Sequence, residues 1–353
     1  MPKITAIICN YDGAVYTVSL LKSLQNSRYH VDEILVVDDC STDDSITQIR
    51  NAFKSITILR TARNMGPGGA RNTGLREAKN DYILFLDNDI ELDSNAVGEL
   101  VDSAANNIEH TFFIPRVIYN DKRCIIQKEG MEFHYIGMTI NGRNYGVEKS
   151  KAKIPIDRLF AFPGVCFLYL RNRAKQILEY DEYFFYTYED LDYSIRNLLI
   201  GNTAMFVPVA EVYHKEGTQG LSYRGGKNYP PKRLFFMIRN RWFFILKNYE
   251  LITILLLLPI NIIIELCLLA FSLAKSKNKL LFFQSHLSLY KALPYILRKR
   301  RVVQKTRLLN DKDILRSNHL KFNESIHGDS GRLLIILDRF LMFYGDKILS
   351  LTK

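Results

Sequence analysis

The chain has 353 residues with 47% hydrophobic and 24% charged side chains. This globular composition excludes a disordered or collagen-like chain and suffices for one large domain with an appendage, or for two ordinary ones. A formal net charge of +11 points to nucleic acid or an anionic membrane as partner, but residues 1–230 hold 26 Lys and Arg against 29 Asp and Glu, while residues 231–353 hold 22 against 8. The basic excess belongs to the last third.

The five cysteines, Cys9, Cys40, Cys124, Cys166 and Cys267, are odd in number, widely spaced and never in a CxxC pair. A disulfide framework and a zinc knuckle are therefore not signalled, and a reducing cytosolic compartment fits best. The opening MPKITAIICNYDG runs straight into an apolar strand without the features of a signal peptide, so the protein is expected to work from the cytoplasm.

Short β-rich runs at Ile4 to Cys9, Glu33 to Val37, Ser55 to Arg60 and Tyr82 to Leu86 alternate with amphipathic stretches near Val15 to Leu24, Ser45 to Phe53 and Gly69 to Ala78. This βαβαβαβ rhythm predicts an α/β fold whose apolar parallel strands are covered by helices on both faces. Ligands in such sheets sit beyond the carboxyl ends of the strands, so the following loops should hold the chemistry. After Leu86 the pattern shifts to shorter mixed strands through about residue 220, so a domain spanning 1–230 and a basic helical region at 231–353 are expected.

Four loops carry candidate groups. ILVVDDCSTDD, residues 34–44, delivers Asp38 and Asp39 at a strand end, where they can accept hydrogen bonds from a base or ribose or simply cap the following helix. NMGPGGARNTGLREA, residues 64–78, combines glycines that permit close backbone approach with Arg71, which can pair with a phosphate or stack on a base. It lacks both the dinucleotide fingerprint and a Walker lysine. DYILFLDNDIEL, residues 81–92, puts Asp87 and Asp89 on one side of the chain with Asn88 turned away, a pair of hard oxygen ligands suited to Mg²⁺ or Mn²⁺ shared with a diphosphate. In YDEYFFYTYEDLDYSIRNLLIGN, residues 180–202, apolar spacing starts a helix near Asp190. Glu189 and Asp190 then serve as helix caps, with Thr187 and Asp190 at capping-box spacing, or as a fixed general base. Downstream, His214 follows another strand and precedes EGTQGLSYRGGKNYP, a segment with the composition of a mobile lid.

Taken in order, VVDDCSTDD, GPGGARNTG, LDND, YTYEDLDYSIR and VPVAEVYH resemble the family 2 glycosyltransferases over about residues 3–245. Within that family the chain looks most like bacterial and archaeal rhamnosyltransferase-like enzymes of polysaccharide or lipid-linked glycan assembly. The resemblance implies the GT-A fold, a Rossmann-like mixed sheet flanked by helices. It also implies an inverting, metal-dependent transfer of one hexosyl unit from a nucleotide-diphosphate sugar to a hydroxyl of a glycan or lipid-linked saccharide. Asn10, Asp12, Asp39, Arg71 and Asp87 would hold the nucleotide sugar. Asp87, Asp89 and His214 would hold the divalent metal, with Asp190 as base and Glu189 beside it. Asp12 stands where many relatives carry Asn. IRNRW, with Ile238 in place of the glutamine of the processive QxxRW motif, implies single addition.

From Leu251 to Ala274 the sequence LITILLLLPINIIIELCLLAFSLA is long enough to span a hydrocarbon core. Lysines and arginines flank it on both sides, which favours a broken or interfacial helical pair hinged near Pro259 over one span; a buried helical hairpin has the same signature. A second apolar patch lies at 333–344. The implied location is the cytoplasmic face of a membrane, with the protein peripheral, monotopic or single-span and anionic lipid rather than nucleic acid as the surface met. The rival readings are a sugar nucleotidyltransferase and a non-enzymatic basic protein that binds membrane or nucleic acid.

Overall fold

The computed structural model describes residues 1–140, 142, 144–153, 158–216, 230–320 and 331–351. The expected lid segment therefore lies outside the described residues except for Glu216 and Pro230. The chain separates into two compact units, Met1–Met131 with Gly142–Arg224, and Glu132–Asn141 with Gly225–Lys353.

The first unit begins with β1 (Ile4–Asn10), α1 (Ala14–Gln25), β2 (Glu33–Asp38), α2 (Ser45–Ala52), β3 (Thr57–Arg60), α3 (Gly66–Glu77) and β4 (Tyr82–Asp87). The strands run parallel in the order β4, β1, β2, β3. Successive side chains enter opposite cores. Ile4, Ala6, Ile8, Val36, Leu84 and Leu86 pack on one face of the sheet, and Ile7, Leu35, Val37, Ile83 and Phe85 on the other. That is why these strands read as unbroken apolar runs. Helix α3 starts three residues earlier than expected, because Gly66 takes a φ of +75° and Pro67 fits the first turn.

The sheet continues through β5 (Ile90–Leu92), α4 (Ala96–Asn106), β6 (Phe112–Tyr119) and β7 (Ile126–Lys128). The hairpin of β8 (Glu132–His134) and β9 (Met138–Ile140) belongs to the second unit, and the first resumes with β10 (Arg158–Leu159), β11 (Cys166–Leu170), α5 (Glu189–Leu199) and β12 (Ala204–His214). Strand β11 is antiparallel to β4 and β6, and β12 is parallel to β6, giving the mixed order β10-β12-β6-β11-β4-β1-β2-β3. The expected α/β mixed sheet is present.

The second unit holds α6 (Pro231–Asn248), α7 (Leu251–Leu256), α8 (Leu258–Lys275), α9 (Leu281–Thr306), α10 (Asp311–Ile314) and α11 (Gly331–Leu351). The apolar segment is broken at Leu257, with Pro259 in the first turn of α8. Among the described residues α8 is the one helix long and apolar enough to cross a membrane, and 28% of it is buried. Both of its faces are largely apolar, unlike those of a helix on the surface of a soluble protein. Asn261 and Ser272 are buried with Ile260, Ile264 and Leu268, while Leu258, Ile262, Ile263, Leu266 and Leu273 are exposed. Glu265, on the inner side, accepts from Arg241 Nη1 at 2.8 Å and from Trp242 Nε1 at 2.6 Å, and its other oxygen lies 3.0 Å from His286 Nε2. Helix α9 exposes Phe283, Leu287, Tyr290 and Leu297 along one stripe.

Candidate active site

The site lies in the first unit, at the carboxyl ends of β1, β2 and β4. Asn10, the last residue of β1, donates Nδ2 to Asp38 Oδ1 at 2.9 Å and accepts from Thr17 Oγ1 at 2.8 Å. Asp38 also accepts from the Ser41 backbone N–H at 3.1 Å. Asp12, at a φ of 44°, accepts from the Thr42 N–H at 2.7 Å. The first two loops are thereby laced together. Tyr11, between Asn10 and Asp12, leaves 47% of its surface exposed; as an ordinary loop tyrosine it gave no sequence signal.

Asp39 is turned the other way. Its carboxylate accepts from the N–H groups of Met65 (2.9 Å) and Gly66 (2.7 Å) and from Thr61 Oγ1 (2.9 Å). It thus caps α3 from a neighbouring strand, satisfying amides that the helix cannot satisfy itself. Burial raises its pKa against those bonds. Helix α2 begins at Ser45, as its spacing predicts, with Asp44 at its N-cap position.

Arg71 is 2% exposed and spans two carboxylates. Nη2 donates to Asp87 Oδ1 at 2.6 Å and to Gly164 O at 3.0 Å, and Nη1 donates to Asp190 Oδ1 at 2.8 Å. The guanidinium also stands 5.2 Å from the Tyr180 ring, which stacks on Tyr193. Burial pushes the Asp87 carboxyl up to about 6 despite Arg71. Asp190 Oδ2 accepts from the Gly164 N–H at 2.8 Å. A Cβ on Gly164 would overlap Asp190 Oδ1 and the Arg71 guanidinium, so only glycine fits there. The sequence signal for Gly164 was no more than a small residue before a strand.

Asp190 and Glu189 enter α5 from a left-handed approach, with Phe185, Thr187 and Tyr188 at φ of 63°, 61° and 67°. Such residues cost about 1–3 kcal/mol each and cluster at functional sites. The expected capping box does not form, because Tyr188 holds the N-cap position without a side-chain cap. Glu189 is 8% exposed, and its Oε2 has no hydrogen-bond partner among the described residues.

Asp89 and His214 meet through the sheet. Strand β5 pairs antiparallel with β12, Ile90 opposite His214, and the Lys215 N–H donates to Asp89 O at 2.8 Å. This places Asp89 Oδ1 3.2 Å from His214 Nε2. Asn88 turns back toward Asn10 and Thr17, as its alternation predicts. The structure therefore gathers Arg71, Asp87, Glu189 and Asp190 in one cluster, Asp89 and His214 in a second, and Asn10, Asp12 and Asp38 in a third. Among the described residues no three His, Cys, Asp or Glu side chains converge as a metal cage. A cavity of about 350 Å³ lined by Ser41, Asp44, Thr47, Arg50 and Arg60 contains none of the clustered catalytic candidates.

Comparison with known proteins bears on the family and the fold. The family model described as Glycosyl transferase family 2 matches residues 5–177. The chain is 30% identical over 190 residues to the GalNAc(5)-diNAcBac-PP-undecaprenol beta-1,3-glucosyltransferase of Campylobacter jejuni, covering 52% of this chain and 57% of that one. It is 33% identical over 116 residues to the poly(ribitol-phosphate) beta-N-acetylglucosaminyltransferase of Staphylococcus aureus, covering 31% of this chain and 20% of that one. The matched stretch thus spans about half or less of these curated relatives. A solved structure of GalNAc-T7 with UDP, GalNAc and Mn²⁺ shares the fold at a TM-score of 0.54 and 19% identity, covering 71% of this chain and 49% of that one. Ordered motifs, sheet topology and family match together show that residues 5–177 of this chain belong to glycosyl transferase family 2, with the GT-A fold.

Proposed function

We propose that the protein transfers one sugar, with inversion, from a nucleotide-diphosphate sugar to a hydroxyl of a lipid-linked saccharide. The observation that carries this reading is the Asp190 carboxylate, fixed by Arg71 and the Gly164 N–H at the start of α5. Each carboxylate oxygen has two lone pairs, so both retain one for an incoming hydroxyl. Asp190 takes the acceptor's proton as the oxygen attacks the anomeric carbon from the face opposite the nucleotide. Inversion needs no covalent nucleophile. Tyr11 and Asp12 at the mouth receive the nucleotide, while Asn10, Asp38 and Asp39 hold the loops that shape its site. Arg71 and Asp87 position Asp190 from below.

The opposed oxygen of Asp89 and nitrogen of His214 fit a divalent cation of the Mg²⁺ or Mn²⁺ type. Asp89 and His214 would be the side chains that hold it. When bound, it neutralises charge on the leaving diphosphate. Asp87, expected beside them, is bonded to Arg71.

Transfer takes place at the cytoplasmic face of a membrane. The exposed face of α8 supports this, since an outward row of leucine and isoleucine suits hydrocarbon as solvent. Exposed Lys275, Lys277, Lys279, Arg298 and Arg301 complement anionic headgroups. Glu265 ties the middle of α8 to Arg241 and Trp242, which supports a helix held against its neighbour in the interface plane.

The test is incubation with a panel of UDP-, GDP- and dTDP-hexoses, Mn²⁺ and a lipid-linked saccharide. One donor should release its nucleoside diphosphate and yield an acceptor heavier by one sugar. Pyrophosphate formed from a nucleoside triphosphate and a sugar phosphate, without transfer, would refute the reading.

A further inference from the structure

Gln127 is 1% exposed and stands where β7 slips against β6. Val117 faces Lys128 and Ile118 faces Ile126, which leaves Gln127 as the extra residue of a bulge. Bulges re-aim side chains. Here the side chain reaches the end of β12, where its Oε1 lies 2.8 Å from His214 Nδ1 and its Nε2 donates to the Glu216 carboxylate.

These contacts have one consistent polarity. A carboxylate only accepts, so the amide nitrogen of Gln127 must face Glu216 and the amide oxygen must face His214. That oxygen also only accepts, so His214 Nδ1 carries the proton. The other ring nitrogen, Nε2, faces the Asp89 carboxylate at 3.2 Å, and because that carboxylate also only accepts, a second proton or a cation must lie between the two.

We propose that Gln127, oriented by Glu216, is a positioning residue that holds His214 in the tautomer whose Nε2 accepts a metal ion beside Asp89. The proposal rests on the metal reading given above and adds the chain of residues that prepares it. Ligand histidines are oriented in this way by a partner on the other ring nitrogen, and loss of that partner costs about 10- to 100-fold in metal affinity.

The test uses the full chain in two measurements. In the metal-free protein labelled with ¹⁵N-histidine and held at a pH where the ring is neutral, the His214 resonances, identified by their loss in His214→Gln, should show the Nδ1–H tautomer. Gln127→Leu should lose that preference. Mn²⁺ titration followed by electron paramagnetic resonance, with UDP present, should show affinity about 10- to 100-fold weaker in Gln127→Leu. The pair Gln127→Glu with Glu216→Gln retains an acceptor toward Nδ1–H and a donor toward position 127, and should restore both readouts. An Nε2–H tautomer in the wild type, or an unchanged tautomer and Mn²⁺ affinity in Gln127→Leu, overturns the proposal. Failure of Mn²⁺ to bind the wild type refutes the metal reading, while the tautomer measurement still decides whether Gln127 sets the ring.

Discussion

Glu189 and Asp190 are adjacent at the start of α5, and their carboxyls sit in opposite surroundings. Asp190 accepts from Arg71 and Gly164, whereas Glu189 is buried with one oxygen unpartnered among the described residues. Burial, and next the charge of Asp190, pushes the Glu189 carboxyl up to about 8. Environments that separate two neighbouring carboxyls assign them different roles. Burial thus favours the protonated form of Glu189, while Asp190, bonded to Arg71 and the Gly164 N–H, is the member placed to meet an acceptor hydroxyl.

Asp190→Asn should therefore lower turnover by about 10²- to 10⁴-fold while nucleotide-sugar affinity stays within a few-fold. Glu189→Gln, which keeps the neutral shape, should retain most activity. Steady-state kinetics with calorimetric donor binding distinguishes them, and near-normal turnover in Asp190→Asn removes that residue as base.

The same shift makes stability depend on pH. Glu189 ordinarily titrates near 4.5 and in the folded chain near 8, so the native state binds its proton more tightly. Its contribution is fully present below about 4.5 and is lost as pH rises through about 8. The wild-type melting temperature should fall between pH 6 and pH 9 by more than that of Glu189→Gln. Parallel curves in differential scanning calorimetry would show that Glu189 is not held neutral.

The part of this site that was legible in the sequence is the part written in local pattern. Strands β1, β2 and β4 are mostly apolar because both faces of the sheet are buried there, and the carboxyl ends of β2 and β4 lead to Asp39, Asp87 and Asp89 where loops must turn. What escaped is where those groups point. Asp39 caps α3, Arg71 lies beneath Asp87 and Asp190, and Gly164 is needed because two side chains from distant elements converge on it. These outcomes depend on contacts between residues 16 to 119 positions apart, which periodicity along the chain does not report. The hairpin at 132–141 joined the second unit for the same reason.

Gly164 offers a test of positioning without touching a charged group. An added methyl in Gly164→Ala must displace Asp190 or Arg71. A shift of about 1 Å in a catalytic group costs on the order of 10²-fold. The variant should lose about that much kcat with a smaller change in donor affinity. Unchanged kcat in a folded variant would mean that the Arg71–Asp190 arrangement does not govern the reaction.

Metal dependence should separate Asp89 from Asp87. Asp89→Ala removes the oxygen facing His214 and should abolish stimulation by Mn²⁺ and weaken donor binding. Asp87→Asn loosens Arg71 and should lower kcat while leaving the Mn²⁺ concentration for half-activation within a few-fold. Activity indifferent to EDTA in the wild type would end the metal assignment.

Membrane docking is testable on the second unit because its two contributions reside on different residues. The outward face of α8 carries Leu258, Ile262, Ile263 and Leu266 without a charge between them, and each such side chain gains about 1.5–3 kcal/mol when removed from water. Ile262→Glu with Leu266→Glu should abolish sedimentation with vesicles of phosphatidylglycerol and phosphatidylethanolamine at any salt concentration. Charge reversal at Arg298 and Arg301 should act differently, weakening binding at low salt and for anionic vesicles only, since each basic side chain near such a surface contributes about 1 kcal/mol that salt screens. Glu265→Gln breaks the bond to Arg241 without altering the outward face, and should lower the melting temperature while vesicle affinity of the folded fraction is retained. If the protein instead stays soluble with vesicles and is retained on RNA at moderate salt, the basic last third is a nucleic-acid surface and α8 is an internal hairpin.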